Sequence, residues 1–273
     1  MSINSSELIN RFNQLWPLAG AETWDAPGLI VGAESRKISR VLLSVDVTSE
    51  VLDEAINGQF DLILSHHPFI MRGVTSVAES TSKGELITRA IRAGVDLYAA
   101  HTNADIVSGG VSEALAIALG IDDLRPLVPS KDANLGHGRI GELRESVSLG
   151  DFARRVAKVL PSTAQGVKVA GDFEQAVKRV AVCGGAGDSF IQAAVDADVD
   201  VYLTSDLRHH PVQDAREGAR LNAGRPAFID VAHWAGEWMW LDVAAAKLAQ
   251  DFASVQFVVS QLRTDPWDFL VTQ

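Results

Sequence analysis

Short apolar runs alternate along the chain with longer stretches in which apolar residues recur every three or four positions. A short run predicts a buried strand, and the longer spacing predicts a helix. The first half is predicted to contain strands at 40–45, 60–64 and 95–100, and helices at 49–57 and 86–93. The second half is predicted to contain strands at 179–183, 199–204 and 227–231, and helices at 189–197 and 212–218. This alternation indicates an α/β fold with a largely parallel sheet covered by helices.

An internal repeat divides this pattern into two related halves. Residues 40–65 align without a gap on residues 179–204, and the identical pairs are Arg40/Arg179, Val41/Val180, Ala55/Ala194, Asp61/Asp200 and Leu64/Leu203. Each half continues with a histidine pair before proline, a helix, and a strand that ends in a His-x-x-x-carboxylate sequence. We therefore predict two pseudo-symmetric α/β lobes, residues 1–120 and 179–273, joined by a connecting segment at 121–178 within one compact unit.

Three histidine-bearing segments follow apolar runs that are predicted to be strands. They are Ser65-His66-His67-Pro68, His101-Thr102-Asn103-Ala104-Asp105 and His233-Trp234-Ala235-Gly236-Glu237. Side chains four positions apart share one face of a helix, and functional groups in parallel α/β sheets gather beyond the carboxyl ends of the strands. The segments offer four histidines and two carboxylates, which is more than one tetrahedral ion needs. They therefore predict a two-metal site with ligands from both lobes.

The composition narrows the class of protein and of metal. The 273 residues carry a formal net charge of −11, which disfavours binding to nucleic acid or to an anionic membrane. No apolar run is long enough to span a bilayer and no secretory signal is visible, so a cytoplasmic protein is expected. The single cysteine, Cys183, excludes thiolate-rich zinc sites, and its apolar surroundings favour a buried thiol. Imidazole and carboxylate ligands suit Zn, Fe, Mn, Ni or Co.

The segments together resemble the Nif3-like dinuclear metal-centre proteins, which are called GTP cyclohydrolase 1 type 2 homologues. The resemblance begins at Trp24-Asp25-Ala26-Pro27-Gly28-Leu29-Ile30-Val31-Gly32, passes through Ser44-Val45-Asp46-Val47-Thr48 and the histidine segments, and includes Gly138-Arg139-Ile140-Gly141-Glu142-Leu143. It implies two intertwined lobes with mixed sheets, a metal site in the cleft between them, and ring-shaped homohexamers. Where members often have Asn-Val, this chain has Ala26-Pro27, so any role of that loop does not carry over.

The same resemblance implies a set of site residues. The implied ligands of two divalent metal ions are His66, His67, Asp105, His233 and Glu237, with Glu237 bridging the ions. His101 matches a histidine that lines this site, and it is interpreted as a supporting or catalytic, proton-handling residue rather than as a certain ligand.

Two functions of different classes are compatible with this site. The favoured hypothesis is a dinuclear-metal hydrolase of a small phosphorylated or nucleotide-like substrate, with a hydroxide bridging the metals as nucleophile and His101 shuttling the proton. The alternative is a non-catalytic protein for metal delivery or regulation. The abundance of ligands favours the first, and the absence of a recognisable substrate motif favours the second. Nucleic-acid processing also suits two-metal chemistry but conflicts with the net charge.

Several other residues leave more than one interpretation open. The Gly184–Gly187 loop favours a tight turn over a phosphate cradle. Asp206 and His210 lie where the repeat places the first histidine pair, so they either line the crevice or form a hydrogen-bonded polar pair. Asp46 is either a substrate contact or a plain turn residue, and His137, between two glycines, is predicted in an exposed loop.

Overall fold

The computed structural model describes residues 2–272. The strands in this range are β1 (Ile3–Asn4), β2 (Gly28–Val31), β3 (Lys37–Ile38), β4 (Arg40–Ser44), β5 (Leu62–Ser65), β6 (Asp96–Ala99), β7 (Ile121–Pro129), β8 (Gly136–Ser148), β9 (Lys168–Ala170), β10 (Ala176–Ala186), β11 (Val201–Ser205), β12 (Ala227–Val231) and β13 (Gln256–Val259). The α-helices are α1 (Ser5–Leu15), α2 (Ser49–Asn57), α3 (Ser82–Ala93), α4 (Thr102–Asp105), α5 (Val111–Ala118), α6 (Leu149–Val159), α7 (Ile191–Asp196), α8 (His209–Ala219) and α9 (His233–Asp251). Short 3-10 turns lie at Leu18–Gly20 and Asp188–Phe190.

The predicted α/β fold is confirmed, and each strand and helix predicted from the two halves has a counterpart. Helix α2 and strand β12 have the predicted bounds. Strand β10 extends beyond the predicted 179–183 at both ends, and α3 begins four residues before the predicted 86–93. The helix predicted at 189–197 is divided into a 3-10 turn and α7. The sheets are mixed because antiparallel strands flank the parallel ones.

Unit 1 comprises residues 2–104 and Leu241–Thr264. Its five-stranded sheet has the order β13-β4-β5-β6-β2, with four parallel strands and β2 antiparallel at one edge. Helix α2 begins where the Thr48 hydroxyl accepts the Val51 amide at 3.3 Å, which is an ordinary N-cap contact. Apolar residues of the helices and the sheet form one core, which includes Leu42, Leu52 and Ile63. This core holds the ends of β5 and β6 in fixed positions.

Unit 2 comprises Asp105–Trp240 and residues 265–272. Its six-stranded sheet has the order β7-β8-β10-β11-β12-β9. Strands β10, β11 and β12 are parallel, and the remaining pairs are antiparallel. Residues 121–178, predicted as the connecting segment, contain helix α6 and supply β7, β8 and β9 to this sheet. Its core includes Ala181, Tyr202 and Phe228.

The sequence repeat corresponds to the same contact in both units. The Asp61 carboxylate accepts the two backbone amides where β4 begins, at 2.7 and 2.9 Å. The Asp200 carboxylate accepts the amides of Lys178 and Arg179, the third and fourth residues of β10, both at 2.8 Å. The identity of Asp61 and Asp200 in the aligned sequences therefore has a physical reason, because each carboxylate binds two consecutive backbone amides at the start of the repeated segment.

None of the helices among residues 2–272 combines the length and the apolar character that a membrane crossing requires.

Candidate metal centre

Three histidines meet at the carboxyl ends of two neighbouring strands of unit 1. His66 and His67 directly follow β5, and His101 comes two residues after β6. Because β5 and β6 pair in parallel, with Ser65 opposite Ala99, the segments after them leave the same edge of the sheet. The three ring centroids lie 5.1 to 5.4 Å apart. One ring nitrogen of each histidine lies within 4.8 Å of the others, so the three could hold one metal ion.

Each of these histidines has its Nδ1 atom bonded to an oxygen. His66 Nδ1 lies 2.9 Å from the carbonyl oxygen of Ala100, His67 Nδ1 lies 2.7 Å from an Asp46 carboxylate oxygen, and His101 Nδ1 lies 2.8 Å from an Asp25 carboxylate oxygen. Carbonyl and carboxylate oxygens only accept hydrogen bonds, so in each neutral ring Nδ1 carries the hydrogen and Nε2 keeps its lone pair. Metal-binding histidines have this arrangement in general.

Asp25 is the residue whose carboxylate bonds to His101 Nδ1. Its carboxylate, which is fully buried, also accepts the Thr102 hydroxyl at 2.5 Å, the Thr102 amide at 3.1 Å and the Ala26 amide at 2.7 Å. Burial by itself would raise the pKa of Asp25, but the hydrogen bonds from His101 and Thr102 outweigh it and lower this pKa to about 2. Asp25 therefore stays ionised at neutral pH and fixes the orientation of the His101 ring.

Asp46 supports His67 and is itself held from the C-terminal part of unit 1. One carboxylate oxygen contacts His67 Nδ1, and the other accepts the Thr264 hydroxyl at 2.5 Å. The two roles considered from the sequence, a substrate contact and a plain turn residue, both miss this arrangement. The observed contacts make Asp46 the residue that orients His67.

Removal of the Asp46 carboxylate is expected to weaken metal binding. In Asp46→Ala the His67 ring loses the acceptor that fixes its orientation, and the loss of such an outer partner typically lowers metal affinity about 10- to 100-fold. Asp46→Asn retains one acceptor oxygen and should lose less. Competition with a chromogenic chelator measures the affinities, and Asp53→Ala serves as control because Asp53 is an exposed carboxylate that pairs with Arg89. Equal affinity of Asp46→Ala and wild type would contradict the assigned role.

Unit 2 contains a second group of predicted ligands at the start of α9. His233 comes two residues after β12 and begins the helix, and Glu237 lies one helical turn further on. His233 Nε2 is 2.9 Å from a Glu237 carboxylate oxygen, and His233 Nδ1 is 2.8 Å from an Asp206 carboxylate oxygen. The charge of Glu237 raises the pKa of His233 to about 11, although burial opposes this, and Asp206 adds to the effect. The predicted pairing of a histidine and a carboxylate on one helical face is confirmed.

Asp206 directly follows β11 and is the fourth acceptor that holds a histidine Nδ1. Its hydrogen bond to His233 is the largest cause of a lowered pKa of Asp206. The ring of His210, which the sequence analysis considered together with Asp206, faces His209 at a centroid distance of 5.2 Å. Asp206 therefore orients His233 in the way that Asp46 orients His67.

The backbone of Gly185 lies close beside the His233–Glu237 pair. Its φ of +73° lies in the left-handed region, and a Cβ atom there would lie 2.5 Å from a Glu237 oxygen and 3.4 Å from His233 Nε2. The Thr204 hydroxyl donates to the Gly185 carbonyl at 3.0 Å and fixes this backbone. Glycine is therefore required for both conformation and space. A phosphate-binding role of the Gly184–Gly187 loop stays a prediction.

Asp105 is the last residue of α4 and the first of unit 2. Burial, and after it the charge of Asp105, raises the pKa of the Cys183 thiol to about 12. Cys183 is buried as predicted and stays protonated, so the nitrogen and oxygen donors of the histidines and carboxylates are the groups that suit a metal.

The sequence identified the histidines of the site but did not predict the hydrogen bonds that fix their orientation. Asp46 and Asp206, whose roles the sequence left open, both come shortly after parallel strands, where residues that contact a site gather. Asp25 and Thr264 have no such signal. The assignment of His66, His67, Asp105, His233 and Glu237 as metal ligands stays a prediction, and His101 lies as close to the first two as a ligand would.

The mixed α/β fold, and the histidines whose Nδ1 atoms are bonded to oxygen acceptors, define a protein with a candidate metal centre. The profile of the family Duf34/NIF3 (NGG1p interacting factor 3) matches residues 3–266, and the chain belongs to this family. The resemblance recognised in the sequence is thereby confirmed.

Similar proteins cover nearly the whole chain. A "GTP cyclohydrolase 1 type 2 homolog" of Streptomyces coelicolor is 45% identical over 269 residues, which cover 96% of this chain and 93% of the relative. One of the same name from Mycobacterium tuberculosis is 32% identical, with 98% of this chain and 97% of the relative covered. The crystal structure of a Bacillus cereus protein related to NIF3 matches with a TM-score of 0.88 and 25% identity, over 98% of this chain and 99% of that chain.

Proposed function

We propose that this protein is a metal-dependent hydrolase that binds two divalent metal ions per subunit and acts on a small phosphorylated or nucleotide-like substrate. The observation that supports it best is that His66, His67, His101 and His233 each have Nδ1 bonded to an oxygen acceptor. In unit 1 this arrangement leaves each Nε2 atom with a lone pair, which His66 and His67 can offer to a metal and His101 can offer to a proton. The names of the relatives make GTP the first candidate substrate.

The donor set fits Zn, Fe, Mn, Ni or Co, because it consists of imidazole and carboxylate groups and Cys183 is buried and protonated. A divalent ion bound by these groups would polarise the bond to be broken and lower the pKa of a water molecule. Within the chain itself, His101 is positioned to accept a proton at Nε2, and the ionised Asp25 stabilises the imidazolium that would result.

The first test is the metal content of protein purified without added metal or chelator, followed by incubation with GTP and analysis of products. Near two divalent ions per subunit and GTP consumption that stops after chelation would support the hydrolase. Bound metal with GTP and other phosphorylated compounds untouched would reject it and favour metal delivery or regulation. A protein that takes up no metal even after reconstitution would overturn both functions.

A variant of His101 distinguishes a proton-handling role from a role as a metal ligand. If His101 only handles a proton, His101→Ala should keep the wild-type metal content and lose turnover. A loss of metal in this variant would make His101 a ligand instead. The hexameric assembly, the cytoplasmic location and the small anionic ligand stay predictions from the sequence.

A further inference from the structure

An exposed tryptophan lies beside the histidines of unit 1. The Trp24 side chain is 58% exposed, and its ring centroid lies 5.9 Å from that of His101 with an interplanar angle of 79°. Trp16, Trp234 and Trp240 are buried, whereas Trp267, in unit 2, is exposed as well. An indole loses much of its possible hydrophobic stabilisation when it stays in water, so an exposed one beside a candidate metal centre calls for a reason.

The loop that carries Trp24 is held firmly on both sides. The Glu22 amide donates to the Thr102 hydroxyl at 2.9 Å, and the Asp25 amide donates to the Glu22 carbonyl at 3.0 Å. The Asp25 side chain is buried and bonded to both His101 and Thr102. Trp24 therefore belongs to a turn that is tied to the segment that begins with His101, and its indole is presented at a fixed place.

Shielding of His101 accounts for only part of this arrangement. The contact between the two rings is edge to face, so it covers a small part of the combined ring surface. If Trp24 only protected His101 from water, most of the indole would be buried against it, but more than half of the side chain is exposed. The exposed surface is thus available to a ligand whose polar part lies at the histidines.

We propose that Trp24 is a stacking platform for a planar heteroaromatic ring, such as a purine base, of the substrate. Stacked or edge-to-face aromatic rings have centroids about 4.5–7 Å apart. A base on Trp24 would therefore be about as far from the indole as His101 is, with its substituents within reach of the histidines. This inference deepens the proposed function and rests on its nucleotide-like substrate.

The test compares metal-loaded wild type with Trp24→Ala and Trp24→Phe by equilibrium dialysis with three probes. Guanosine has the base without phosphate, GTP has both, and tripolyphosphate has phosphate without the base. Trp24→Ala should bind guanosine and GTP about 5- to 150-fold more weakly, which is the range expected for the loss of one base–aromatic stack. Binding of tripolyphosphate and metal content should not change, and Trp24→Phe should retain most of the affinity for guanosine.

Phe173→Ala is the matched control, because Phe173 is an exposed aromatic residue of unit 2 that contacts Arg154. Guanosine affinity that is equal in Trp24→Ala and wild type, or lowered equally in Phe173→Ala, would overturn the platform. So would the absence of guanosine binding to wild type. Metal-dependent GTP consumption would survive those results. If Trp24→Ala loses guanosine binding while the wild-type protein does not consume GTP, the role of Trp24 as a platform is retained and hydrolysis of GTP is rejected.

Discussion

Replacement of both His66 and His67 by alanine is expected to reduce the metal content to less than half of the wild-type value. Removal of an outer partner alone costs about 10- to 100-fold in affinity, so the loss of two predicted ligands should exceed about a hundredfold. Elemental analysis of the purified protein gives the content, and chelator competition gives the affinity.

The chain provides a close control for this double variant. His209 and His210 also precede a proline, and their rings pack on each other with centroids 5.2 Å apart, but both are exposed at the start of α8. Replacement of this second pair by alanine should leave the metal content unchanged. Equal metal loss in both double variants would mean that the fold, and not the site, had been damaged, and no loss in either would contradict the ligand assignment.

Replacement of Arg139 by alanine is expected to lower the free energy of unfolding by roughly 3–5 kcal/mol, as is typical when one partner of a buried ion pair is removed. The Arg139 side chain is only 1% exposed and pairs with Glu113 at 3.0 Å. It also donates to the carbonyl oxygens of Gly136 and Gly138, both at 2.8 Å, and of Val107 at 2.6 Å. Alanine would leave these acceptors buried without their donor.

Denaturation with urea, followed by far-UV circular dichroism, measures this effect. Arg139→Lys should also destabilise the protein, because an ammonium group cannot reproduce the planar set of donors. Arg144 lies on the same strand and pairs with Asp122 at 2.9 Å, but it is 86% exposed, so Arg144→Ala should cause no measurable change. An Arg139→Ala protein as stable as Arg144→Ala would refute the structural role of Arg139.

Regular apolar patterns made most strands and helices predictable, whereas β7 and β8 were harder to identify. Pro126 and Pro129 favour turns as residue types, but both lie in β7. This strand forms an edge of its sheet, where a residue without an amide hydrogen is tolerated. The prediction that His137 lies in an exposed loop is wrong, because it lies in β8 and stacks on Phe190 at 5.3 Å.

The residues of the candidate site also differ in how far the sequence predicts them. His66, His67 and His233 were predictable because each lies within two residues of the end of an apolar strand, where the chain leaves the sheet edge. Their supports depend on tertiary contacts, and Asp25 meets His101 across 76 residues of sequence. Such a pairing produces no periodicity, so a single sequence cannot reveal it.

The contact between Thr264 and Asp46 has a consequence for the order in which the site matures during synthesis. The two residues are 218 positions apart, and strand β13, which precedes Thr264, pairs with β4, which precedes Asp46. In a nascent chain, His67 is therefore synthesised long before Thr264, the residue that hydrogen-bonds to Asp46. Secure metal capture at His67 should accordingly be a late event, after residue 264 has emerged from the ribosome and β13 has joined the sheet.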